Sequence, residues 1–173
     1  MSLIECQFET EAAEILAIFN HAILNTTALY EYQPRTIATM QQWFANKAAG
    51  QFPVVGLRNA EGVLVAFGSY GTFRAFPAFK YSVEHSVYVH PEHHGQGYGS
   101  QILTALIAKA RQQQYHLLIG GIDADNAGSI ALHRKFGFVH SGTIQQAGFK
   151  FGRWLDLAFY QLTLDTPTTP IDG

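Results

Sequence analysis

The segment Val87-Tyr-Val-His-Pro-Glu-His-His-Gly-Gln-Gly-Tyr-Gly-Ser100 constrains the fold more than any other stretch of the chain. An alternating, β-branched run leads into it, glycines stand at 95, 97 and 99, and a helical stripe of Ile102, Leu103, Leu106, Ile107 and Ala110 leads out. Strand, glycine turn and helix in that order bring backbone amides to a helix N-terminus, where phosphate oxygens are bound at close approach. The same order lays a helix on a sheet and so points to an α/β architecture. By itself the loop does not select the ligand, since dinucleotide folds use similar glycines. Here, however, the strand follows several earlier elements instead of opening a βαβ series, and no lysine-serine pair completes a nucleotide P-loop.

The rest of the pattern supplies the sheet. Leu3 to Phe8 reads as a strand, followed by a helix with Thr10 as N-cap and Ile15, Leu16, Phe19 and Ile23 on one stripe. Thr36 caps a shorter helix around Met40, Trp43 and Phe44 that stops near Gly50. Val54 to Leu57 and Val63 to Phe73 form a hairpin across Asn59 to Gly62, and Tyr81 to His90 alternates as a further strand. After the Gly97 to Gln114 helix come a buried strand at Leu117 to Ile122, a helix at Asn126 to Phe136 stopped by Gly137, and strands at Phe138 to Ile144 and Trp154 to Leu164. The fold class is α/β (α+β): one domain over 1–164, with a mixed, mostly antiparallel central sheet flanked by helices on both faces. The end, 165–173, with Pro167 and Pro170, is expected to be flexible.

Composition excludes several function classes. A chain of 173 residues with 47% hydrophobic content holds one ordinary globular core. A formal charge of −2 and the absence of any Lys/Arg-dense stretch leave no footprint for nucleic acid. No apolar run is long enough to span a bilayer, the N-terminus lacks a secretory signal, and the lack of any disulfide framework points to a reducing, cytoplasmic setting. Cys6, the single cysteine, forms no internal disulfide and is a poor nucleophile on the first strand. His90, His93 and His94 cluster without the cysteine or carboxylate partners of a metal site, and no metal is expected.

The segment His94-Gly95-Gln96-Gly97-Tyr98-Gly99 resembles the acetyl-coenzyme A loop of the GNAT superfamily, Arg/Gln-x-x-Gly-x-Gly/Ala, with His94 in the place of the usual Arg or Gln. A second signature, Asn-x-x-Ser-x-x-Leu-Tyr-x-Lys-x-Gly-Phe, is similar to Asn126 through Ser129, Leu132, His133 and Lys135 to Gly137-Phe138. The resemblance narrows to the phosphinothricin and methionine sulfone/sulfoximine N-acetyltransferase branch. It is carried by Asn25-Thr-Thr-Ala28, by Val83-Glu-His-Ser-Val-Tyr-Val89 and by Gly148-Phe-Lys-Phe-Gly-Arg-Trp-Leu-Asp156, and by the histidine at 133 where other GNAT enzymes carry tyrosine. It covers nearly the whole chain.

What the resemblance implies is acetyl transfer from acetyl-coenzyme A, as cosubstrate, to the α-amino group of a small amino-acid-like substrate, directly and in a ternary complex. Glu84 is then the base, and the competing reading is a structural carboxylate paired with a cation. His133 protonates the departing thiolate or organises the proton path, against a plain helix-surface histidine. The cofactor residues are His94, Gly95, Gln96, Gly97, Tyr98, Gly99 and Ser100 for the pyrophosphate, the backbone of Val87, Tyr88 and Val89 for the pantetheine, and Asn126, Ser129 and Lys135 from the second signature. Asn126 reads equally as a helix N-cap. Arg74 offers a fork for a substrate carboxylate or is a solvated loop charge; Lys80 is read as solvated. Tyr30 and Tyr32 line the substrate pocket or pack in the core. The apolar last strand, with Trp154, Leu155, Leu157 and Phe159, suits a central strand or the interface of a homodimer such as similar proteins form. Acetylation of another amine, and a non-catalytic acyl-coenzyme A sensor, stand as alternatives.

Overall fold

The computed structural model describes all 173 residues. Seven strands and four helices follow the order β1 (Ser2–Glu5), α1 (Phe8–Asn25), α2 (Ile37–Ala49), β2 (Val54–Arg58), β3 (Leu64–Thr72), β4 (Ser82–Val89), α3 (Tyr98–Gln112), β5 (Leu117–Asp123), α4 (Ala127–Lys135), β6 (Val139–Lys150) and β7 (Arg153–Thr163). The strands form one open, mostly antiparallel sheet in the order β1-β2-β3-β4-β5-β7-β6. A parallel pairing joins β4 to β5, with Ser82, Val83 and Glu84 opposite Leu117, Leu118 and Ile119. Two compact units divide the domain: Met1–Gly71 with Ser86–Leu106, and Thr72–His85 with Ile107–Gly173.

In the first unit β3 is covered on both faces because consecutive side chains point to opposite sides. Phe67 faces α1, where Phe19 sits with ring centroids 4.9 Å from Phe67, 5.4 Å from Trp43 and 5.1 Å from Tyr88, all edge-on. Each such pair adds about 0.5–1.5 kcal/mol beyond burial. Gly68 faces α3, and a Cβ there would come within 2.5 Å of Ile102 Cγ2 and 2.9 Å of the Ser86 carbonyl, so only glycine lets the helix approach this closely. Ile15, Met40, Leu103 and Leu106 are fully buried, each adding roughly 1.5–3 kcal/mol of transfer free energy.

Helix α1 begins a turn earlier than the threonine at 10 predicts. Its N-cap is Gln7, whose side chain makes no cap bond; instead the Glu11 carboxylate accepts the Gln7 N–H at 2.8 Å. Glu11, one position beyond the N3 site of a capping box, reaches back to that N–H, and Thr10 lies inside the helix. Thr36 caps α2 as its sequence position predicts, through a reciprocal box with Thr39.

In the second unit β5 lies between β4 and β7, and β7 between β5 and β6, so the last strand is central. Strand β6 extends beyond the predicted Ile144 to Lys150, through two register shifts, and turns into β7 at Phe151 (φ 52°) and Gly152 (φ 73°). Two successive positive φ values are those of a tight hairpin turn matched to strand twist. The final segment, expected to be flexible, carries hydrogen bonds: Thr166 Oγ1 donates to the Tyr115 carbonyl, His116 Nδ1 to the Thr166 carbonyl, and the Ile171 N–H to the Tyr81 hydroxyl.

Candidate active site

The glycine loop adopts the conformation its sequence requires. Gly95 (φ 76°) and Gly97 (φ 78°) are both left-handed, where a side chain would be strained, while Gly99 already lies within α3 at an ordinary φ. At each of the two left-handed positions no atom beyond the glycine and its chain neighbours lies within 4 Å of where a Cβ would stand. The loop is therefore open to a bulky ligand, and the first-turn N–H groups of α3 lack intrahelical acceptors. These features fit the pyrophosphate of acetyl-coenzyme A. Tyr98 is turned inward, its hydroxyl donating to Gln96 Oε1 at 2.9 Å, and Ser100 is half-buried in the first turn. His94 follows a short 3-10 turn and is exposed. Tyr88 packs its ring against Phe19 and Phe67, which leaves its backbone, with that of Val87 and Val89, as what the strand can offer a ligand.

Glu84 sits at the last β4–β5 pair, opposite Ile119. Its carboxyl is held above the usual carboxylate range by burial, and the positive charge of Arg74 works against that rise. Arg74 is exposed on the segment before β4, with its guanidinium 4.5 Å from the Phe73 ring centroid and Nη1 donating to the Phe73 carbonyl at 3.0 Å. Lys80 is exposed, its ammonium 5.2 Å from the Tyr81 ring centroid. Burial along β4 falls on Val83, His85 and Tyr88, so it does not keep the strict period of two that groups Glu84 with Ser86 and Tyr88.

Asn126 caps α4, with its Oδ1 accepting the Ser129 N–H at 3.1 Å. His133 is buried and not on the helix surface. Its Nδ1 lies 2.7 Å from the Ser129 carbonyl, and its Nε2 lies 2.8 Å from Nε2 of His85. His85, equally buried, has no assigned role in the sequence pattern; the signal that marks it is a lone imidazole sharing the buried phase of β4 with Val83. Burial, then the neighbouring His133, draws the His85 ring down to about 3, with the backbone of Ile119 acting the other way, and burial likewise lowers His133. Both rings are therefore neutral near pH 7.

Lys135 is exposed at the end of α4, and Tyr30 and Tyr32 are exposed in the loop after α1. No cluster of three or more His, Cys, Asp or Glu side chains is gathered as a metal site, and no helix is long and apolar enough to cross a membrane.

An open, mostly antiparallel sheet whose fourth strand runs through a left-handed glycine turn into a helix is the architecture of an acetyl-coenzyme A-dependent N-acetyltransferase, and the chain belongs to the acetyltransferase (GNAT) family, which it matches over residues 16–138. Among individual proteins it is similar to the L-methionine sulfoximine/L-methionine sulfone acetyltransferase of Pseudomonas aeruginosa, 47% identical over 87% of this chain and 88% of that protein. Of solved structures, a provisionally assigned acetyltransferase of Acinetobacter baylyi ADP1 superposes with a TM-score of 0.98 at 55% identity, over 99% of this chain and 96% of that one. A phosphinothricin acetyltransferase of Sinorhizobium meliloti, in complex with acetyl-coenzyme A, superposes with a TM-score of 0.93 at 31% identity, over 98% and 91% of the two chains.

Proposed function

We propose that this enzyme acetylates the α-amino group of a small amino acid bearing a tetrahedral polar group on its side chain, of the methionine sulfone, methionine sulfoximine or phosphinothricin type. The observation that carries the reading is Glu84: a half-buried carboxylate that burial raises above the usual carboxylate range, with the charge of Arg74 acting against that rise. A base needs its pKa near the working pH, and removing a proton from an ammonium is the first requirement of acetyl transfer. The relatives' substrates supply the chemical class.

In the proposed sequence Glu84, through water, takes one proton from the substrate ammonium. The neutral amine attacks the thioester carbonyl, the amide C–N bond forms as the C–S bond breaks, and the second proton of the reacting nitrogen passes to the departing coenzyme A thiolate. Transfer is direct, with no covalent enzyme intermediate. The loop from His94 to Ser100 holds the pyrophosphate by backbone amides, the Val87 to Val89 backbone pairs with the pantetheine, and Asn126, Ser129 and Lys135 complete the cofactor contacts. Arg74 takes the substrate carboxylate on the guanidinium edges it does not use for Phe73, and Tyr30 and Tyr32 line the amino-acid side. His133, with both ring nitrogens engaged inside the fold, fits the organising part of the proton path.

The enzyme acts as a cytoplasmic homodimer in this reading. Ile144, Phe149, Phe151 and Trp154 leave the β6–β7 hairpin with exposed apolar surface that a second copy would cover.

Coenzyme A thiol release tests the function, with acetyl-coenzyme A offered alongside the sulfone, the sulfoximine, phosphinothricin, ordinary amino acids, polyamines and short peptides. Turnover confined to the tetrahedral-group amino acids is expected. Turnover with other amines alone removes the substrate assignment, and binding of acetyl-coenzyme A without turnover on any amine turns the protein into a sensor.

A further inference from the structure

His85 follows Glu84 directly and takes no part in the chemistry above. Its Nε2 lies 2.8 Å from Nε2 of His133, and both side chains are buried. At that distance one imidazole nitrogen donates and the other accepts. The other side of His133 decides which. The Ser129 carbonyl, 2.7 Å from His133 Nδ1, can only accept, so the neutral His133 carries its proton on Nδ1. Its Nε2 is then a lone pair. On the far side of His85 the Nδ1 atom is buried with no hydrogen-bond partner, so no acceptor holds a proton there and the one between the rings belongs to His85.

The pair stands where the sheet changes. Pairing between β4 and β5 ends at Glu84 and Ile119, and the next residue of β5 is Gly120. A Cβ at Gly120 would come within 3.1 Å of His85 Cε1 and 3.2 Å of His133 Nε2, so the two rings occupy the space beside the last strand pair. Phe138 closes it, 5.2 Å and 5.0 Å from the two ring centroids. The His133 end of the contact belongs to α4, the helix whose first turn carries Ser129 behind the Asn126 cap.

We propose that His85 is a positioning residue for the acetyl transfer: by donating Nε2–H to His133 it pins α4 to the strand beside Glu84 and keeps the His133 proton aimed at Ser129. The inference rests on Glu84 as the base. It also removes His133 as the group that protonates the leaving thiolate, because its one proton is held by a backbone carbonyl and its lone pair is taken.

Long-range proton–nitrogen correlation of the imidazoles at neutral pH tests the hydrogen bond in the wild-type enzyme. His133 protonated on Nδ1 and His85 on Nε2 is the expected result; a His133 protonated on Nε2 overturns the proposal, and this measurement stands even where a variant does not fold. Kinetics test the consequence. His85→Phe keeps ring volume without the donor, and its kcat is expected to fall by up to about 100-fold, the scale of an ångström of misplacement, with the KM for the amine little changed. His85→Gln, which keeps an N–H donor, should recover much of that loss. Wild-type turnover in the Phe variant, or equal impairment of both variants, overturns the positioning role. Unchanged turnover in Glu84→Gln would instead remove the base while leaving the tautomers and the His85 comparison intact, so the two failures are told apart.

Discussion

Lys47 donates its ammonium to the Tyr70 carbonyl at 2.9 Å while sitting 5.4 Å and 5.9 Å from the ring centroids of Trp43 and Phe52. Burial, and then the like charge of Arg35, draw this amine down from 10.5 to about 8. Burial, and then Glu11, push the thiol of Cys6 up from 9.0 to about 12. The two act on stability in opposite directions. Between pH 8 and 10.5 the unfolded chain keeps a Lys47 proton that the folded chain has lost, so stability rises with pH. Between pH 9 and 12 the folded chain keeps a Cys6 proton that the unfolded chain has lost, so stability falls with pH. Each slope approaches about 1.4 kcal/mol per pH unit. Urea unfolding is expected to show stability climbing from pH 8 to 9 and then levelling; Lys47→Met should abolish the climb and Cys6→Ala should extend it. A wild-type curve flat across pH 8 to 9 counts against the buried amine.

Replacing Glu84 by Gln is expected to lower kcat by roughly 10²–10⁴-fold, the usual worth of a general base, and to leave acetyl-coenzyme A affinity alone. In the wild type kcat/KM should rise with pH through a value above the ordinary carboxylate range, since burial raises the Glu84 carboxyl and only its ionised form accepts a proton. Arg74 opposes that rise, so Arg74→Gln should move the acid limb to still higher pH and raise the KM of an amino-acid substrate. An acid limb that stays put in the Arg74 variant would separate the two side chains.

Gly120→Ala is expected to cost about 1–3 kcal/mol, the range for forcing an extra methyl into a filled interior. The neighbours that would have to yield are the imidazoles, 3.1 Å and 3.2 Å from the added carbon. The urea midpoint measures it, with Gly62→Ala unsuitable as a control because that glycine is strained by its own φ of 81°.

Arg58 bonds Glu11 at 3.0 Å and Glu14 at 2.7 Å, tying β2 to α1. Arg58→Met strands the buried Glu11 carboxylate without its cation and should cost about 2 kcal/mol. Arg111→Met, whose partner Asp165 is 82% exposed, should cost under about 1 kcal/mol. Equal losses in the two variants would mean that burial of Glu11 carries no penalty.

How far these features could be read in advance depends on the range of the interactions behind them. Gly95 and Gly97 were legible because a glycine turn before a helical stripe is local, and Thr36 for the same reason. The start of α1 was not, because a carboxylate four residues on outcompeted the threonine as the capping group. The full length of β6 was hidden by Gly142 and Gln146, whose positive φ values mark irregular pairing that breaks apolar alternation. The partnership of His85 with His133 spans 48 positions and arises from packing, so neither residue's neighbours announce it.

The bonds that reach from Ile171 to the Tyr81 hydroxyl and from Thr166 to Tyr115 and His116 have a practical consequence. Tyr81 is the residue before β4, three positions ahead of Glu84, and its carbonyl also accepts the His116 and Leu117 N–H groups. An affinity tag or a fluorophore fused after Gly173 would pull on the root of the strand that carries the base. Labels intended to leave turnover untouched belong on the solvent-facing side of α2, at Gln42 or Ala49.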